Sequence, residues 1–329
     1  MTADPVSVVT GSSARSGSIA LQAACAWTAV SDAAWLRITA GSQGSASGTI
    51  QWSAEENAGT QSRTGTITVR TATAAAARVT IQQASRAPLI TVDSLVNAAS
   101  FRGGSISPGE ILSAFGLNVG PREAVGLQTS ADGRFVTTEV ARVRVLVDGI
   151  PAPITYADSS QVNFIAPYGI EGRQQVDVRT EYQGLPSDPI RVPVVTANPE
   201  IFATGPAAPE GGPAQGAILN ADNRPNSVAN RAPRGSVIQI FATGLGATTP
   251  PGIDGYVPST VPLPEPSSRV RVFVAGQECR LRYAGAAPFL VSGVMQINCE
   301  LPLTVSGVSE LSLFVGDRRN RGRISVAVE

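Results

Sequence analysis

The sequence predicts an all-β chain of three two-sheet sandwiches in tandem, the last two of which are copies of each other. Val, Ile and Thr cluster in short runs that end at Gly, Pro, Asn and Ser, the pattern of strands and turns. The chain has 329 residues, enough for two or three domains of roughly 100 to 150 residues each. A stretch from its middle also returns near its end. We therefore expect domains at residues 1–86, 87–197 and 198–329.

The internal repeat consists of four blocks of sequence that recur in the same order. The blocks pair Gly109–Phe115 with Gly235–Phe241, Arg142–Val147 with Arg269–Val274, Tyr156 with Tyr283, and Gln161–Pro167 with Gln296–Pro302. The second copy carries an insertion around residues 286–294. Two copies are too few for a solenoid, whose units need several neighbours to bury their faces. Each copy is therefore expected to be a domain with its own core.

The N-terminal segment has a different pattern, in which apolar residues alternate along several runs. Ile50, Trp52 and Ala54 share one face of a predicted strand, as a two-sheet sandwich requires. The distinctive residues of the segment are Trp27, Trp35, Trp52, Asn57, the run Arg63-x-Gly-x-Ile67 and the closing Val79-x-Ile-Gln-Gln83. As a set they resemble a BACON domain. The resemblance implies an immunoglobulin-like sandwich that binds carbohydrate or mucin, or serves as a spacer beside enzymes.

Exposed Trp faces would form a sugar-binding platform. Trp27, Trp35 and Trp52 lie where the alternation points inward, so we expect them in the core instead.

The turn after the third Trp offers polar candidates for ligand binding. Glu55, Glu56 and Asn57 occur there in succession, suited to a hydroxylated ligand or a cation, and a solvated hairpin is the alternative interpretation.

A linker at Ser85–Pro88 precedes the duplicated region. The motifs Asn97–Ser100, Pro108–Glu110, Gln161–Asn163, Gly285–Pro288 and Gln296–Asn298 resemble a C-terminal region found in large secreted proteins of soil acidobacteria. Strand spacing and the Pro-Gly turn also resemble TIG-type immunoglobulin-like domains. These resemblances imply extracellular or cell-surface modules that hold, extend or attach, and they supply no catalytic residue.

The composition excludes several kinds of catalytic site, metal site and partner. All 25 basic residues are Arg, and the chain has no Lys or His, which excludes Ser-His-Asp and Cys-His catalysis, Lys Schiff bases and His-ligated metal sites. A carboxylate-pair glycosidase remains the enzyme alternative. The net charge is zero without a basic stripe, so no nucleic-acid partner is expected. The chain contains no run of about 20 apolar residues, so no membrane span is predicted. We expect neither an enzyme nor a cofactor.

Two polar motifs suggest binding but have structural alternatives. The Gln-x-Asn motif at Gln161 and again at Gln296 is best explained as a strand with Val162 or Ile297 inward, whose amides satisfy backbone groups of a neighbouring loop. Asp222–Asn226 has the spaced oxygens of a calcium loop but lacks its Gly and closing Glu. No metal site is predicted.

Comparison of the copies predicts a disulfide bond. Cys279 stands at the position of Ala152, and Cys299 at that of Phe164. If the first pair touches in its core, the second lies within bonding distance, which favours an oxidising compartment; two buried free thiols are the alternative. Cys25 is then unpaired, and we expect it to be a small buried hydrophobe beside Trp27.

Two long segments are expected to be interaction loops. Residues 246–268 hold six prolines around Tyr256, and residues 120–139 connect the matching strands of the first copy. Proline limits the entropy lost on ordering, so the first loop suits a stiff arm lying across a neighbouring domain or partner, or packed on its own domain. Tyr182, at a predicted hairpin tip, and Tyr256 are candidate ligand contacts.

The predicted function is a non-enzymatic adhesion or structural module, extracellular or at the cell surface, whose partner is a glycan or a neighbouring protein subunit. The first residues lack the charged and apolar regions of a signal peptide, so either the protein is intracellular or the chain is a trimmed fragment. The abrupt entry into the strand-like run Val6–Val9 favours a fragment or mature form of a longer secreted precursor. One alternative is carbohydrate binding by the N-terminal domain. Another is a fibre subunit assembled by strand addition, with Val6–Val9 and Ile324–Val328 as donor strands.

Overall fold

The computed structural model describes residues 1–59, 61–72, 75–205 and 212–329, except for the side chains of residues 75 and 76. The described chain is all-β, with a single 3₁₀ turn at Tyr168–Ile170. It divides into two compact units, residues 1–87 and 88–329. The second unit holds both repeats, and its predicted division after residue 197 stays a prediction.

The first unit is a sandwich of two sheets. Its strands are β1 (Thr2–Asp4), β2 (Ser7–Thr10), β3 (Arg15–Gln22), β4 (Trp27–Ser31), β5 (Leu36–Ala40), β6 (Gln43–Gly44), β7 (Gly48–Ala54), β8 (Arg63–Arg70) and β9 (Ala75–Gln83). One sheet has the order β1-β3-β7-β5, and the other the order β2-β9-β8-β4-β6. All neighbours are antiparallel except β2 and β9, which run parallel. Strand β2 therefore lies at an edge of its sheet.

The core of this unit follows from the alternation in its strands. Trp52 and Trp27 are 2% and 4% exposed, as predicted. Trp52 packs over Gly17, where a Cβ would overlap the indole ring. Trp35 is half-buried against the same core, and the guanidinium carbon of Arg63 lies 4.3 Å from the centre of its ring. The three Trp side chains therefore hold the sandwich together and form no exposed platform.

The first repeat is a sandwich of a five-stranded and a six-stranded sheet. Its strands are β10 (Leu89–Asn97), β11 (Ile111–Leu117), β12 (Val125–Gly126), β13 (Glu139–Val140), β14 (Val143–Val147), β15 (Ile150–Pro151), β16 (Ile154–Ala157), β17 (Gln161–Ile165), β18 (Gln175–Tyr182), β19 (Leu185–Pro186) and β20 (Ile190–Pro193). One sheet has the order β10-β11-β17-β16-β12. In the other, β14 and β18 pair centrally, β13 and β15 join β14, and β19 and β20 join β18.

The second repeat has the same plan. Its strands are β21 (Glu200–Ile201), β22 (Ala214–Gln215), β23 (Ile218–Leu219), β24 (Val237–Thr243), β25 (Thr248–Thr249), β26 (Glu265–Pro266), β27 (Val270–Val274), β28 (Gln277–Glu278), β29 (Arg280–Ala286), β30 (Met295–Glu300), β31 (Gly307–Val315), β32 (Arg318–Arg319) and β33 (Ile324–Val328). Strands β24, β30 and β29 form one sheet with β21 and β23. Strands β33, β31 and β27 form the other with β22, β28 and β32, and β25 pairs with β26.

The duplication is visible in the hydrogen-bond registers. A bulge interrupts the pairing of β16 with β17 between Ile154 and Tyr156, and another interrupts that of β29 with β30 between Leu281 and Tyr283. These positions correspond in the sequence repeat. The all-β fold with an internal duplication is therefore confirmed in strand order and in register.

The Gln-x-Asn motifs lie on the equivalent strands β17 and β30. Val162 and Ile297 are fully buried, as predicted. The amide of Gln161 donates to Asn163 Oδ1 at 2.8 Å, and that of Gln296 donates to Asn298 Oδ1 at 2.9 Å. The expectation that these amides satisfy a neighbouring loop is corrected here, because on an extended strand residues i and i+2 share a face and bond each other.

Each repeat has its own hydrophobic core, and the cores differ at the predicted disulfide. Cys279 and Cys299 are bonded, with their Cα atoms 5.7 Å apart. Both sulfurs lie in the second core, while Ala152 and Phe164 are fully buried in the first. The disulfide thus occupies a position that an Ala and a Phe fill in the first repeat.

Two expectations drawn from the sequence are wrong. Cys25 is exposed, because it lies in the turn between β3 and β4 and the core position there is filled by Trp27. Ile324–Val328 is no free donor strand, because it pairs antiparallel with β31 and parallel with β22, and all five residues are buried. Val6–Val9 is no free donor strand either, because it overlaps β2, which pairs with β9, although Val6 and Val9 are 68% and 72% exposed.

Candidate functional site

In the polar turn after β7, the buried side chain of Asn57 joins three backbone segments through hydrogen bonds. This side chain is 4% exposed. Its Nδ2 donates to the carbonyl oxygens of Gln61 and Ala84, at 2.8 and 3.0 Å, and its Oδ1 accepts from the Gly59 N–H at 3.2 Å. The amide is thus occupied by three backbone groups of its own unit, which explains why an Asn stands there.

Glu55 and Glu56 are exposed on that turn and have different partners. Glu55 Oε1 lies 2.8 Å from Arg37 Nη2, and Glu56 Oε1 lies 3.8 Å from Arg86 Nη1. Surface pairs of this kind contribute little to stability. The structure keeps Glu55 and Glu56 next to Asn57 in sequence but does not bring the three side chains to a common pocket, so their role in ligand binding stays a prediction.

Tyr182 lies at the hairpin tip that the sequence predicts, between β18 and β19. Gln183 and Gly184 form the tip with φ of 54° and 80°, the left-handed backbone that such tight hairpins need. The ring is half-buried against the core of the first repeat, and its hydroxyl accepts from Gln183 Nε2 at 3.1 Å. Tyr182 therefore offers less of its ring to a ligand than its place at a tip suggests.

Tyr256 belongs to the proline-rich arm, residues 246–268 of the second repeat. The arm contacts the first repeat, which is one of the two placements that the sequence leaves open. The Val136 N–H donates to the Gly255 carbonyl at 2.8 Å, and the Val257 N–H donates to the Arg134 carbonyl at 2.9 Å. The rings of Phe135 and Tyr256 are 5.5 Å apart. The two long loops of the repeats thus pair with each other through backbone bonds and ring contact.

The arm is anchored at Tyr168 of the first repeat. Asp254 accepts the backbone N–H of Tyr168 at 2.8 Å. The Tyr168 ring packs against Gly252 of the arm and Gly109 of its own repeat, where a Cβ on either glycine would overlap the ring. Burial raises the pKa of the Tyr168 hydroxyl, and nearby Asp254 raises it further. The Tyr168 side chain is therefore packed between a glycine of the first repeat and a glycine of the second.

The insertion that distinguishes the second copy holds the arm from the other side. The Ser292 hydroxyl donates to the Ile253 carbonyl at 2.9 Å, and its N–H donates to the Tyr256 carbonyl at 2.7 Å. The Phe289 N–H donates to the Pro258 carbonyl at 2.8 Å. The insertion around residues 286–294 is thus the support on which the arm rests.

The joint between the repeats is centred on Glu110, which is fully buried. Its Oε1 accepts from Asn97 Nδ2 at 2.8 Å and from Asn198 Nδ2 at 2.7 Å. Its Oε2 accepts from the Ser107 N–H at 2.7 Å and from the Ser107 hydroxyl at 3.1 Å. Because Asn198 lies at the junction of the two repeats, one carboxyl group ties the first repeat to the start of the second.

Two effects oppose each other at the Glu110 carboxyl. Burial raises its pKa from 4.5 to about 7, although the hydrogen bonds from Asn97, Asn198 and Ser107 lower it. A buried carboxyl with a raised pKa is often catalytic. Here both oxygens are occupied by protein donors, so the group has a structural task.

A second buried carboxyl, Glu200, completes the joint. It is 1% exposed and accepts the N–H of Gly322 at 2.9 Å, and its Oε1 lies 3.4 Å from Arg321 Nε. Arg321 Nη1 in turn donates to the Gly103 carbonyl of the first repeat at 2.9 Å. Arg321 therefore bridges the two repeats while its charge is balanced by a buried Glu.

Sequence reasoning missed this joint. Glu110 aligns with Ser236, so a carboxyl at a position of the shared turn that is uncharged in the other copy was a usable signal. Glu200 and Arg321 gave no such signal, since their pairing depends on how the repeats meet.

Among the described residues, no group of three or more Cys, Asp or Glu is placed to hold a metal ion. In the Asp222–Asn226 stretch, Asn226 donates to the Ala327 carbonyl at 2.8 Å.

The fold defines the class of this chain, which is all-β and built of two-sheet sandwiches in series. Residues 1–86 match the family model of the viral BACON domain, so the resemblance of this segment is confirmed. No curated protein matches the chain. In the described part of the chain, no helix has the length and apolar character needed to cross a membrane.

The comparison with solved structures finds matches of low sequence identity and low TM-score. The I9–I11 tandem of titin shares 7% identity over 98% of this chain and 96% of its own, with a TM-score of 0.24. The Escherichia coli adhesin FdeC shares 12% identity over 99% of this chain and 95% of its own, with a TM-score of 0.21. A Bacteroides ovatus GH5 xyloglucanase shares 15% identity over 40% of this chain and 28% of its own, with a TM-score of 0.24.

Proposed function

We propose that this chain is a non-enzymatic module of a larger extracellular or cell-surface protein, and that it serves adhesion or structural support by holding its domains at a set spacing. The observation that carries the proposal is the joint between the repeats. Linked domains move relative to each other unless their interface is extensive and specific. Here two buried carboxyls, a bridging Arg and the docked arm occupy that interface.

The chemistry of the carboxyls supports a non-catalytic role. A glycosidase needs two carboxyls facing a substrate across a gap of about 5 to 10 Å. Glu110 is enclosed by donors, and Asp254, whose pKa burial also raises, is engaged with the Tyr168 N–H. The carboxyls with raised pKa values therefore serve the joint and the arm. The disulfide in the second repeat supports an oxidising compartment.

A distance measurement between spin labels tests the proposal in the intact chain. One spin label is attached at Asp188→Cys in the first repeat and one at Arg318→Cys in the second, in a Cys25→Ser background. Pulsed electron paramagnetic resonance then measures the distance between the labels, and so the spacing of the repeats. We expect one narrow distance distribution. The matched variant that also carries Gly252→Ala, which pushes the arm off Tyr168, should broaden it. A broad distribution in the chain without Gly252→Ala would refute the set spacing.

A second candidate function is glycan binding by the N-terminal unit, favoured by an open pocket of about 600 Å³ beside Trp27. Polar side chains of Gln43, Ser45 and Arg70 line it. Trp27 itself is 4% exposed and its Nε1 donates to the Ala46 carbonyl at 2.9 Å, so it contributes only an edge of the indole. Binding of the intact chain to mucin glycans, lost in Arg70→Ala and kept in Arg78→Ala, is the expected result. Equal binding by both variants would exclude this pocket.

A further inference from the structure

The outward face of the second repeat carries an aromatic and cationic cluster on β27, β31 and β32. Phe273 and Phe314 are half-buried, with ring centres 5.4 Å apart and ring planes at 75°. The guanidinium carbon of Arg271 lies 5.7 Å from one ring centre and 5.3 Å from the other. An open depression of about 440 Å³ beside the rings is also lined by Glu310, Ser312 and Arg319. We call these six residues the Phe-Arg face.

At the corresponding place on the first repeat, the positive charge of the Arg is neutralised by a neighbouring Glu. In its register Arg144 lies opposite Glu181, and Arg271 lies opposite Phe314 in the second repeat. Arg144 Nη1 bonds Glu181 Oε2 at 3.1 Å. The copies thus share the cation, while a Phe replaces the carboxylate that balances it.

That replacement leaves the charge of Arg271 without a carboxylate. Among the residues that the structure describes, none forms an ion pair with Arg271. The other Arg of the face, Arg319, is held by Ser312 Oγ at 2.8 Å and Glu310 Oε1 at 3.5 Å. A guanidinium presents several N–H donors in a fixed plane that matches a carboxylate or sulfate. Arg271 is therefore available to an anionic ligand directly beside two aromatic rings.

The side chains of this face, not its backbone, meet a ligand. Strand β27 pairs with β31 over Val270–Val274 and with β28 at Phe273 and Val274, and β31 also pairs with β32 and β33. Backbone N–H and C=O groups lie in the plane of a sheet, whereas side chains stand out from it. A ligand that lies on the two rings and Arg271 therefore binds through side chains, by ring packing and by ionic hydrogen bonds.

We propose that the Phe-Arg face binds an acidic glycan. The apolar C–H face of a sugar ring packs on Phe273 and Phe314, and its carboxylate or sulfate accepts from Arg271. Ser312, Glu310 and Arg319 line the depression beside the rings and offer hydrogen bonds to the hydroxyls. The inference rests on the proposed role as an adhesion module, to which it adds the class of partner and the surface that meets it.

The test measures binding of the intact chain to three oligosaccharides, namely an oligogalacturonate, a heparin oligosaccharide and neutral maltoheptaose. We expect saturable binding to at least one of the acidic probes, weaker at high ionic strength, and none to the neutral probe. Preference for oligogalacturonate identifies a carboxylate ligand, and preference for heparin identifies a sulfate ligand. Either preference supports the proposal.

The most informative variant is Phe314→Glu, because it gives the second repeat the Arg-Glu pair that the first repeat already contains. Its fold is expected to stay intact, as its melting temperature will show, while affinity falls by about tenfold or more through loss of one ionic contact and one ring. Arg271→Gln, which keeps both rings, should show a loss of similar size. The matched control Arg144→Gln in the first repeat should bind as the unaltered chain does.

Three results would overturn the proposal. They are the absence of binding to both acidic probes, equal losses in Arg144→Gln and Arg271→Gln, and displacement of the glycan by polyglutamate at equal charge concentration, which would assign the face to acidic peptides. A failure here with a narrow spin-label distribution refutes only the glycan site. A broad distribution with glycan binding intact refutes the set spacing and leaves the site.

Discussion

Glu110 of the first repeat is buried and bonded to both repeats, whereas the hydroxyl of its counterpart Ser236 donates to the Pro233 carbonyl of its own turn, at 2.6 Å. The cores differ as well, since a disulfide in the second replaces Ala152 and Phe164 of the first. Strand order and bulge position are nevertheless the same. The comparison teaches that the duplication preserves the sheet topology, while single positions in the core and at the contact between the copies diverge.

The largest expected effect is that of Glu110→Ala. It leaves the Asn97 and Asn198 amides and the Ser107 N–H without acceptors in a buried site, and each unpaired donor costs about 1 to 3 kcal/mol. We expect the free energy of unfolding of residues 88–329 in the intact chain to fall by about 4 kcal/mol, measured by urea denaturation at mildly acidic pH. The counterpart Ser236→Ala should change it by less than about 0.5 kcal/mol. Equal effects in the two copies would contradict the asymmetry.

The next effect is a pH dependence of stability that Glu110 should contribute and that its counterpart Ser236 cannot. The pKa of Glu110 is about 7 in the folded chain against an ordinary value of 4.5. The folded state therefore binds its proton more tightly, so the stability it contributes is fully present below pH 4.5 and is lost as pH rises to about 7. A shift of this size corresponds to about 3 kcal/mol.

Urea denaturation across this range, compared with Glu110→Gln, isolates the contribution. The Gln variant cannot titrate, so its stability relative to the unaltered chain should rise with pH. A constant difference between the two proteins would show that the hydrogen bonds fully offset the burial of the charge.

The disulfide is expected to stabilise the second repeat by a similar or slightly smaller amount. Its cysteines are 20 residues apart in sequence, and closing a loop of that size contributes about 3 kcal/mol in the chain-entropy model. The double variant Cys279→Ala, Cys299→Ala should lower the denaturation midpoint of this repeat. Cys25→Ser, at the exposed thiol, should leave the midpoint unchanged. A lowered midpoint in Cys25→Ser would mean that this thiol has a structural role.

Gly252→Ala should have the smallest effect of the set. The added methyl group overlaps the Tyr168 ring and must displace the arm, at a cost of about 1 to 3 kcal/mol. Gly126→Ala is the matched control, because no atom lies within 4 Å of the place its methyl group would take and its φ is not positive. Amide exchange at Val136 and Val257, whose N–H groups join the two loops, reports the loosening directly. Unchanged exchange in Gly252→Ala would show that the glycine does not hold the arm.

Much of the fold was accessible from the alternation of residues and from the repeat. Val162 and Ile297 alternate with polar neighbours, and this local pattern fixes which face of a strand is buried. The disulfide followed from aligning the copies, because equivalent core positions lie at equivalent distances. Cys25 could not be placed this way, since it stands in a turn where alternation carries no information.

The sequence by itself determined the all-β architecture and the duplication, because they depend on local periodicity and on comparison within the chain. For the Cys279–Cys299 bond and the placement of the arm it left two alternatives each, between which the tertiary structure decided. Only the tertiary structure decided that Glu110, Asn198 and Arg321 meet in a buried joint, and that Phe314 removes the partner Arg271 would otherwise have. These relations join residues far apart in sequence, and their energies depend on burial and geometry. No local pattern along the sequence specifies how deeply these groups are buried.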